Sequence, residues 1–280
     1  MARTMGAAYE RDGLSWPLAD RLLFLDALGR LDPEGGDPRL EMDRWVAVRE
    51  AEPSRAGALS PFRAFAKWPV TVQEFRAFVD APDYLAGEYW HSPYFGVEFP
   101  SLSQTYHILE MQDRASSALR TQLRHPNRPV VGVGIGAAVA YCAWATSRRS
   151  DGALIRLPYF REWERFFRGR LRHYAQQGRE TGATTGEPVA NWQYAVGHPT
   201  PVGAFPPQEL GAWDLIGNVW EMTLPQPSSA VRDHRSADGL DCMLVGWSYA
   251  GPDSSDFSIS VPLGVLSSGH NIIGFRAVMA

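Results

Sequence analysis

Lysine is nearly missing from this chain. Of 27 basic residues, Lys67 alone is lysine and the rest are arginine. So lopsided a ratio is read as GC-rich coding. A thermophilic source is compatible with it, although arginine-for-lysine exchange is not a general thermal signature. Cysteine is scarce as well, with only Cys142 and Cys242 present. That excludes a disulfide framework, and no Cys-x-x-Cys pair marks a zinc or redox site. No apolar run approaches the ~20 residues that span a bilayer. A strong charge of one sign is also absent. A net charge of −4 and a pI near 6.0 exclude a general attraction to nucleic acid or to an anionic membrane. The opening residues lack the basic-then-apolar pattern of an export signal, so cytoplasmic placement is the default expectation.

Several motifs of catalysis are missing too. None of the seven histidines stands two or four residues from another, so no zinc pair is legible. The G-x-S-x-G nucleophile elbow does not occur. "GVGIG" at Gly132–Gly136 has the wrong spacing for a dinucleotide fingerprint and lacks a following acid, so it reads as a turn before a packed helix.

What is present is an ordinary globular composition, 45% hydrophobic and 21% charged, in a chain long enough to bury a core without a metal or disulfide staple. "PLADRLLFLDALGRL" predicts an amphipathic helix with Leu22, Phe24, Leu25 and Leu28 on its stripe, and "DPEGGDP" ends it. "RWVAVRE" and "SPFRAFAKWPV" alternate as half-buried strands do. In "TVQEFRAFVD", Thr71 and Glu74 occupy capping-box positions before Phe75 and Phe78. Residues 84–129 read as aromatic and irregular. "RPVVGVGIGAAVAYCAWATSRR" predicts an extended entry and a helix, and "LPYFREWERFFRGRLRHYAQQ" predicts a second. These elements point to an α+β fold with two main helices, short strands and much irregular loop. The expected organisation is an N-terminal helical extension over residues 1–44, packed on one domain over residues 45–280.

One segment carries a metal-like signal. In "WDLIGNVWEMT", Asp214 and Glu221 bracket a Gly–Asn turn, and two acids around turn carbonyls suit a hard cation. The alternative is that both carboxylates only bond loop amides.

"PVTVQEFRAFVD", "RPVVGVGIGAAVAYCAWA", "LPYFREWERF", "PVGAFPPQELGAWDLIGNVWEMT", "GWSY" and "IIGFRAV" stand in this order between about Trp45 and Ala280. Together they resemble the formylglycine-generating, sulfatase-modifying family, and the resemblance implies that family's variant of the C-type lectin fold. It also implies a structural calcium held by the Asp214 and Glu221 side chains and by the carbonyls of Gly217 and Val219. A second calcium segment of the family is matched only at Asn191 and is not carried over. The family's catalysts use two cysteines just after a "GGS[YW]" block. Here the block is "GWSYAGPDSSD", and the matching positions hold Gly251 and Asp256. Neither residue supplies a thiolate. The His-x-x-x-His-x-Glu iron site of the related sulfoxide synthases is missing as well.

The end of the chain resembles a second branch of the fold, the variable proteins of diversity-generating retroelements. That resemblance implies adenine-directed mutation of asparagine codons, which never yields Glu, Lys, Gln, Met or Trp. From Ser248 to Ile273 this sequence contains none of those five. In "SSDFSISV", Phe257, Ile259 and Val261 alternate with Asp256, Ser258 and Ser260, so the first set is expected inward and the second outward. The candidate variable region is 246–276. Its expected contact residues are Tyr249, Asp253, Ser255, Asp256, Ser258 and Ser260, followed by Leu263, Val265, Ser268, His270 and Asn271. A tyrosine anchor among small polar and apolar residues is paratope-like. The expectation is therefore a non-enzymatic binding protein for a macromolecular ligand, protein rather than sugar, since the E-P-N, Q-P-D and W-N-D lectin motifs are absent. It requires no cofactor. The competing readings are an oxidase-type relative with an unrecognised cofactor and a scaffold subunit docked through its first helix.

Overall fold

The structure, a computed structural model, describes residues 2–31, 44–48, 62–85, 87–90, 104–164, 166–167, 186–208, 211–224, 235–236, 239–251, 257–262, 266 and 269–280. Two helices open the chain, α1 (Ala2–Asp12) and α2 (Leu18–Arg30). On α2, Leu25 and Leu28 are fully buried, and with Tyr9 they meet Ala204 and Phe205 of a distant loop. Polar ties reinforce this seam. Tyr9 Oη donates to the Gly203 carbonyl at 3.1 Å, and Asn127 Nδ2 donates to that of Leu25 at 2.8 Å.

The capping box forms as expected. Thr71 Oγ1 accepts from the Glu74 N–H and Glu74 Oε2 accepts from the Thr71 N–H, opening α3 (Val72–Val79). Beyond the short α4 (Gly87–Trp90), the reading of residues 84–129 as irregular is overturned. Gln104–Arg120 form α5, the longest helix among the described residues. Its buried stripe runs Ile108, Gln112, Ala115 and Leu119. A polar residue inside the stripe and Leu109 outside it disguise the helical period. α6 (Ile135–Ser147) follows the "GVGIG" turn and is buried along its first two turns. The helix predicted in "LPYFREWERF" is present where described, over 160–164 and 166–167. Phe75 stacks on Tyr141 of α6 at 5.9 Å and meets Phe275 edge-on, so α3 and α6 share one core with the end of the chain.

Two small sheets cover that core. The first has the order β1 (Trp45–Ala47), β2 (Ala64–Ala66), β9 (Val278–Met279) and β3 (Ile155–Arg156), all antiparallel. The second runs β5 (Arg235–Ser236), β6 (Gly239–Val245), β4 (Trp220–Met222) and β8 (Ile273–Gly274), with β7 (Ser258–Pro262) along the other side of β6. The closing run "IIGFRAV" is expected to be one core strand. Instead it divides, contributing β8 to one sheet and β9 to the other, with Phe275, Arg276 and Ala277 buried at the crossing. Short strands, separate helices and long loops make this an α+β fold, as expected.

Candidate functional site

The site is built where three irregular segments meet at the end of β6. Gly217 N–H donates to the Gly246 carbonyl at 2.8 Å, Asn218 N–H to Asn191 at 2.8 Å, and Tyr249 N–H to Asn218 at 3.1 Å. Asn218 also reaches sideways, accepting from the Thr200 N–H at 2.8 Å and donating to Asp214 Oδ1 at 3.3 Å. The non-glycine residues with positive φ among the described residues all lie here: Gln193, Tyr194, Asp214, Asn218 and Trp247. Such backbone persists only where its surroundings over-determine it. Gly217 shows how tightly the segments approach. A Cβ at this position (φ +79°) would stand 2.2 Å from the Asn191 carbonyl oxygen.

Below this junction lies a buried charged cluster. Glu221 on β4 is paired with Arg276, whose Nη2 donates to Oε1 at 2.7 Å and whose Nε donates to both carboxylate oxygens at 3.1 Å. The same guanidinium donates through Nη1 to the carbonyls of Ala66 and Lys67, and through Nη2 to that of Trp213. Asp214 is near this pair, and its oxygens accept from the Gly203 N–H and from Asn218 Nδ2. Burial pushes Asp214 up to about 6, against the pull of the Gly203 N–H, Arg276 and Asn218. Burial raises Glu221 too, against Arg276.

The expected calcium set therefore meets a competing partner. Asp214, Gly217 and Val219 lie on the bends that lead into β4 and Glu221 on that strand, but Glu221 already has its counter-charge in Arg276. Calcium binding there would draw Glu221 away from a buried guanidinium. Arg276 is the residue the sequence reading missed, and it competes with any cation for Glu221. Thermal melts in millimolar calcium and in EDTA are accordingly expected to agree within about 1 °C, whereas a shift of several degrees would restore the metal site.

Asp214 also predicts a pH dependence. In the folded chain it titrates near 6, against 3.8 for an ordinary aspartate. Between those values the folded state holds a proton that the unfolded chain has lost, so this group's contribution to stability falls as pH rises from about 4 to about 6 and then levels. Asp214→Asn is neutral throughout. Its stability relative to the parent should improve by about 2–3 kcal/mol between pH 4 and pH 7, read by urea unfolding at each pH. A pH-independent difference would contradict the assignment.

The tail residues fall out as follows. Tyr249 and Ser258 are half-buried, while Ser260, His270 and Asn271 are exposed. Asp253, Ser255, Asp256, Leu263, Val265 and Ser268 lie outside the described residues. Phe257 is buried as expected, stacked on Trp247 at 4.4 Å and 22°. Val261 is half-buried, but Ile259 is 43% exposed, contrary to the alternation read from the sequence. The register places Ile259 opposite Leu244, yet β7 stands one strand farther out, with β6 its only partner strand among the described residues. Phe257 and Val261 reach the core on either side of it, and Ile259 between them is left uncovered.

Neither cysteine is placed for redox chemistry. Cys142 lies within α6, where burial pushes its thiol up to about 12, and Cys242 is buried on β6. A Cβ added at Gly251 would press to 3.0 Å from both the Ser248 carbonyl oxygen and Trp247 Cβ. Gly251, which the resemblance sets opposite a catalytic cysteine, therefore has little room for a larger side chain.

A family model described as "Sulfatase-modifying factor enzyme 1-like domain" matches residues 34–280. The chain is 30% identical over 220 residues to a Bos taurus protein named "Inactive C-alpha-formylglycine-generating enzyme 2", covering 67% of each chain. It is 36% identical over 118 residues to the Mus musculus formylglycine-generating enzyme, covering 36% of this chain and 28% of that one. It thus spans under a third of the length of the mouse and bovine formylglycine-generating enzymes it matches. Among solved structures, "Treponema denticola variable protein 1" aligns over 84% of this chain and 93% of its own, at 17% identity and a TM-score of 0.44. From the family match along residues 34–280, the chain belongs to the sulfatase-modifying factor enzyme 1-like domain family.

Proposed function

We propose that this chain is a non-enzymatic, receptor-like binding protein whose C-terminal surface is diversified by a retroelement. The observation that carries the reading is how the tail is held. Trp247 stacked on Phe257 fixes its first half and the buried run from Ile273 to Val278 fixes its end, while Ile259, Ser260, His270 and Asn271 stand exposed between them. Surface positions gripped at both ends tolerate substitution without loss of the core. The absence of Glu, Lys, Gln, Met and Trp from Ser248 to Ile273 supports the same view. So does the chemistry of the thiols, because oxidation of a substrate cysteine needs a reactive thiolate and Cys142 is held protonated by burial. Two relatives carry names that call them inactive. The ligand is a protein, engaged without a cofactor. Among the described residues, no helix is long and apolar enough to cross a membrane.

Sequencing the DNA beside the gene tests the proposal. A near-copy of its 3′ end with asparagine codons at the outward positions, next to a reverse transcriptase, is the expected finding, and its absence would remove the diversification. Separately, the purified chain incubated with copper or iron and a cysteine-containing peptide should produce no aldehyde above buffer. Turnover would return the protein to the oxidases. Joint replacement of Ser260, His270 and Asn271 by alanine should change unfolding free energy by no more than about 0.5 kcal/mol per site.

A further inference from the structure

Tyr194 is an aromatic residue that the fold exposes at an energetic cost. Gln193 and Tyr194 have φ of +48° and +60°, a region that bulky side chains rarely enter. The conformation is enforced from outside the pair. Tyr194 N–H donates to the Tyr249 carbonyl at 2.7 Å, and Ala195 N–H donates to that of Trp192 at 2.8 Å. Trp192 is itself buried against Trp247 at 5.4 Å. Glycine would take this backbone without strain. The tyrosine ring adds nothing to the core, because the residue is 68% exposed. What the ring does meet is Tyr249, edge to face, with centroids 6.3 Å apart at 80°.

We propose that Tyr194 is a constant anchor of the binding surface, its ring standing beside position 249 of the tail and gripping a protein ligand whatever the tail presents. The proposal rests on the display reading above. Tyr194 lies far outside the Ser248–Ile273 window, so retroelement mutation of that window leaves it unchanged. Its position is fixed by the same hydrogen bond that fixes the start of the tail. A rigid ring with a hydroxyl gives large contact area at small entropic cost, which is how tyrosine serves protein recognition. Glycan recognition would call for a fan of amides and carboxylates around the ring. The chain neighbours of the two tyrosines, Gln193, Ala195, Ser248 and Ala250, supply one amide and no acid.

The test uses the full chain displayed on yeast, with positions 258, 260, 270 and 271 randomised, and hen lysozyme as antigen. Clones selected with Tyr194 present should lose about tenfold or more in affinity on Tyr194→Ser and equally on Tyr194→Gly. Both variants should melt within about 2 °C of the parent or above it, the glycine variant having shed the strained backbone. Clones that keep their affinity with serine and glycine at 194 would overturn the anchor while leaving the display reading intact. Failure to recover binders from any background would overturn the display reading and the anchor with it. Enrichment on immobilised mannan but not on lysozyme would overturn the protein class of ligand.

Discussion

Arg276→Ala should cost at least about 4 kcal/mol of unfolding free energy, a large share of the roughly 5–15 kcal/mol that holds a typical domain together. The side chain is 2% exposed and leaves no donor idle by accident of packing. It satisfies Glu221 of β4, in the second sheet, together with the carbonyls of Ala66 on β2, in the first, and of Lys67 and Trp213. Alanine would leave a carboxylate buried with no counter-charge and three carbonyls without this partner. Removing one member of a buried pair costs about 3–5 kcal/mol, before the carbonyls are counted. Arg276→Lys should recover little, because one ammonium cannot reach a carboxylate and three carbonyls arranged around a planar fork. Adding Glu221→Gln to Arg276→Ala should restore about 1.5 kcal/mol or more, since the stranded charge is then removed. Urea denaturation of the four proteins of this cycle gives the coupling directly. A loss below about 1 kcal/mol for Arg276→Ala would mean that the pair is solvated and the two sheets are joined by other contacts.

Phe257→Ala should cost about 3–5 kcal/mol, while substitutions two and three residues later cost almost nothing. Phe257 is the inward residue at which the tail begins its strand. Its ring lies on Trp247 at 4.4 Å, its carbonyl accepts from the Gly246 N–H at 2.9 Å, and Trp247 in turn packs on Trp192. Deleting the ring opens a cavity beneath the junction that also carries Tyr194 and Tyr249. Phe257→Leu, which keeps most of the volume, should lose roughly 1–1.5 kcal/mol. By contrast, Ile259→Ser and Ser260→Asn should stay within about 0.5 kcal/mol of the parent. This contrast between neighbours separates a frame from a displayed surface. If Phe257→Ala were as mild as Ser260→Asn, the tail would not be anchored and its exposed positions would have no fixed geometry to present.

Local features were legible in the sequence wherever one segment's own chemistry decided its shape. The capping box at Thr71 and Glu74, the apolar run of α6 and the presence of β1 and β2 were readable because each is settled by near neighbours, although β2 is buried at every residue and does not alternate as expected. Phe257 was read as inward for the same reason, from alternation alone. The helix α5 escaped because Gln112 faces inward and Leu109 outward, so its polarity breaks the period that its backbone keeps. Ile259 was misplaced because alternation says which face a residue lies on and not whether anything covers that face.

Only the tertiary structure decided what becomes of Arg276. In the sequence it is one arginine among many within an apolar run, and burying it looks prohibitive until Glu221 is brought alongside from 55 residues away. The same closure set Arg276 against one acid of the expected calcium set and brought the ring of Tyr194 beside Tyr249. By itself the sequence determined the periodic elements and the make-up of the tail, because backbone propensity and side-chain alternation act over a few residues. Burial of charge and the meeting of distant loops depend on long-range closure, and no short stretch of residues contains that information.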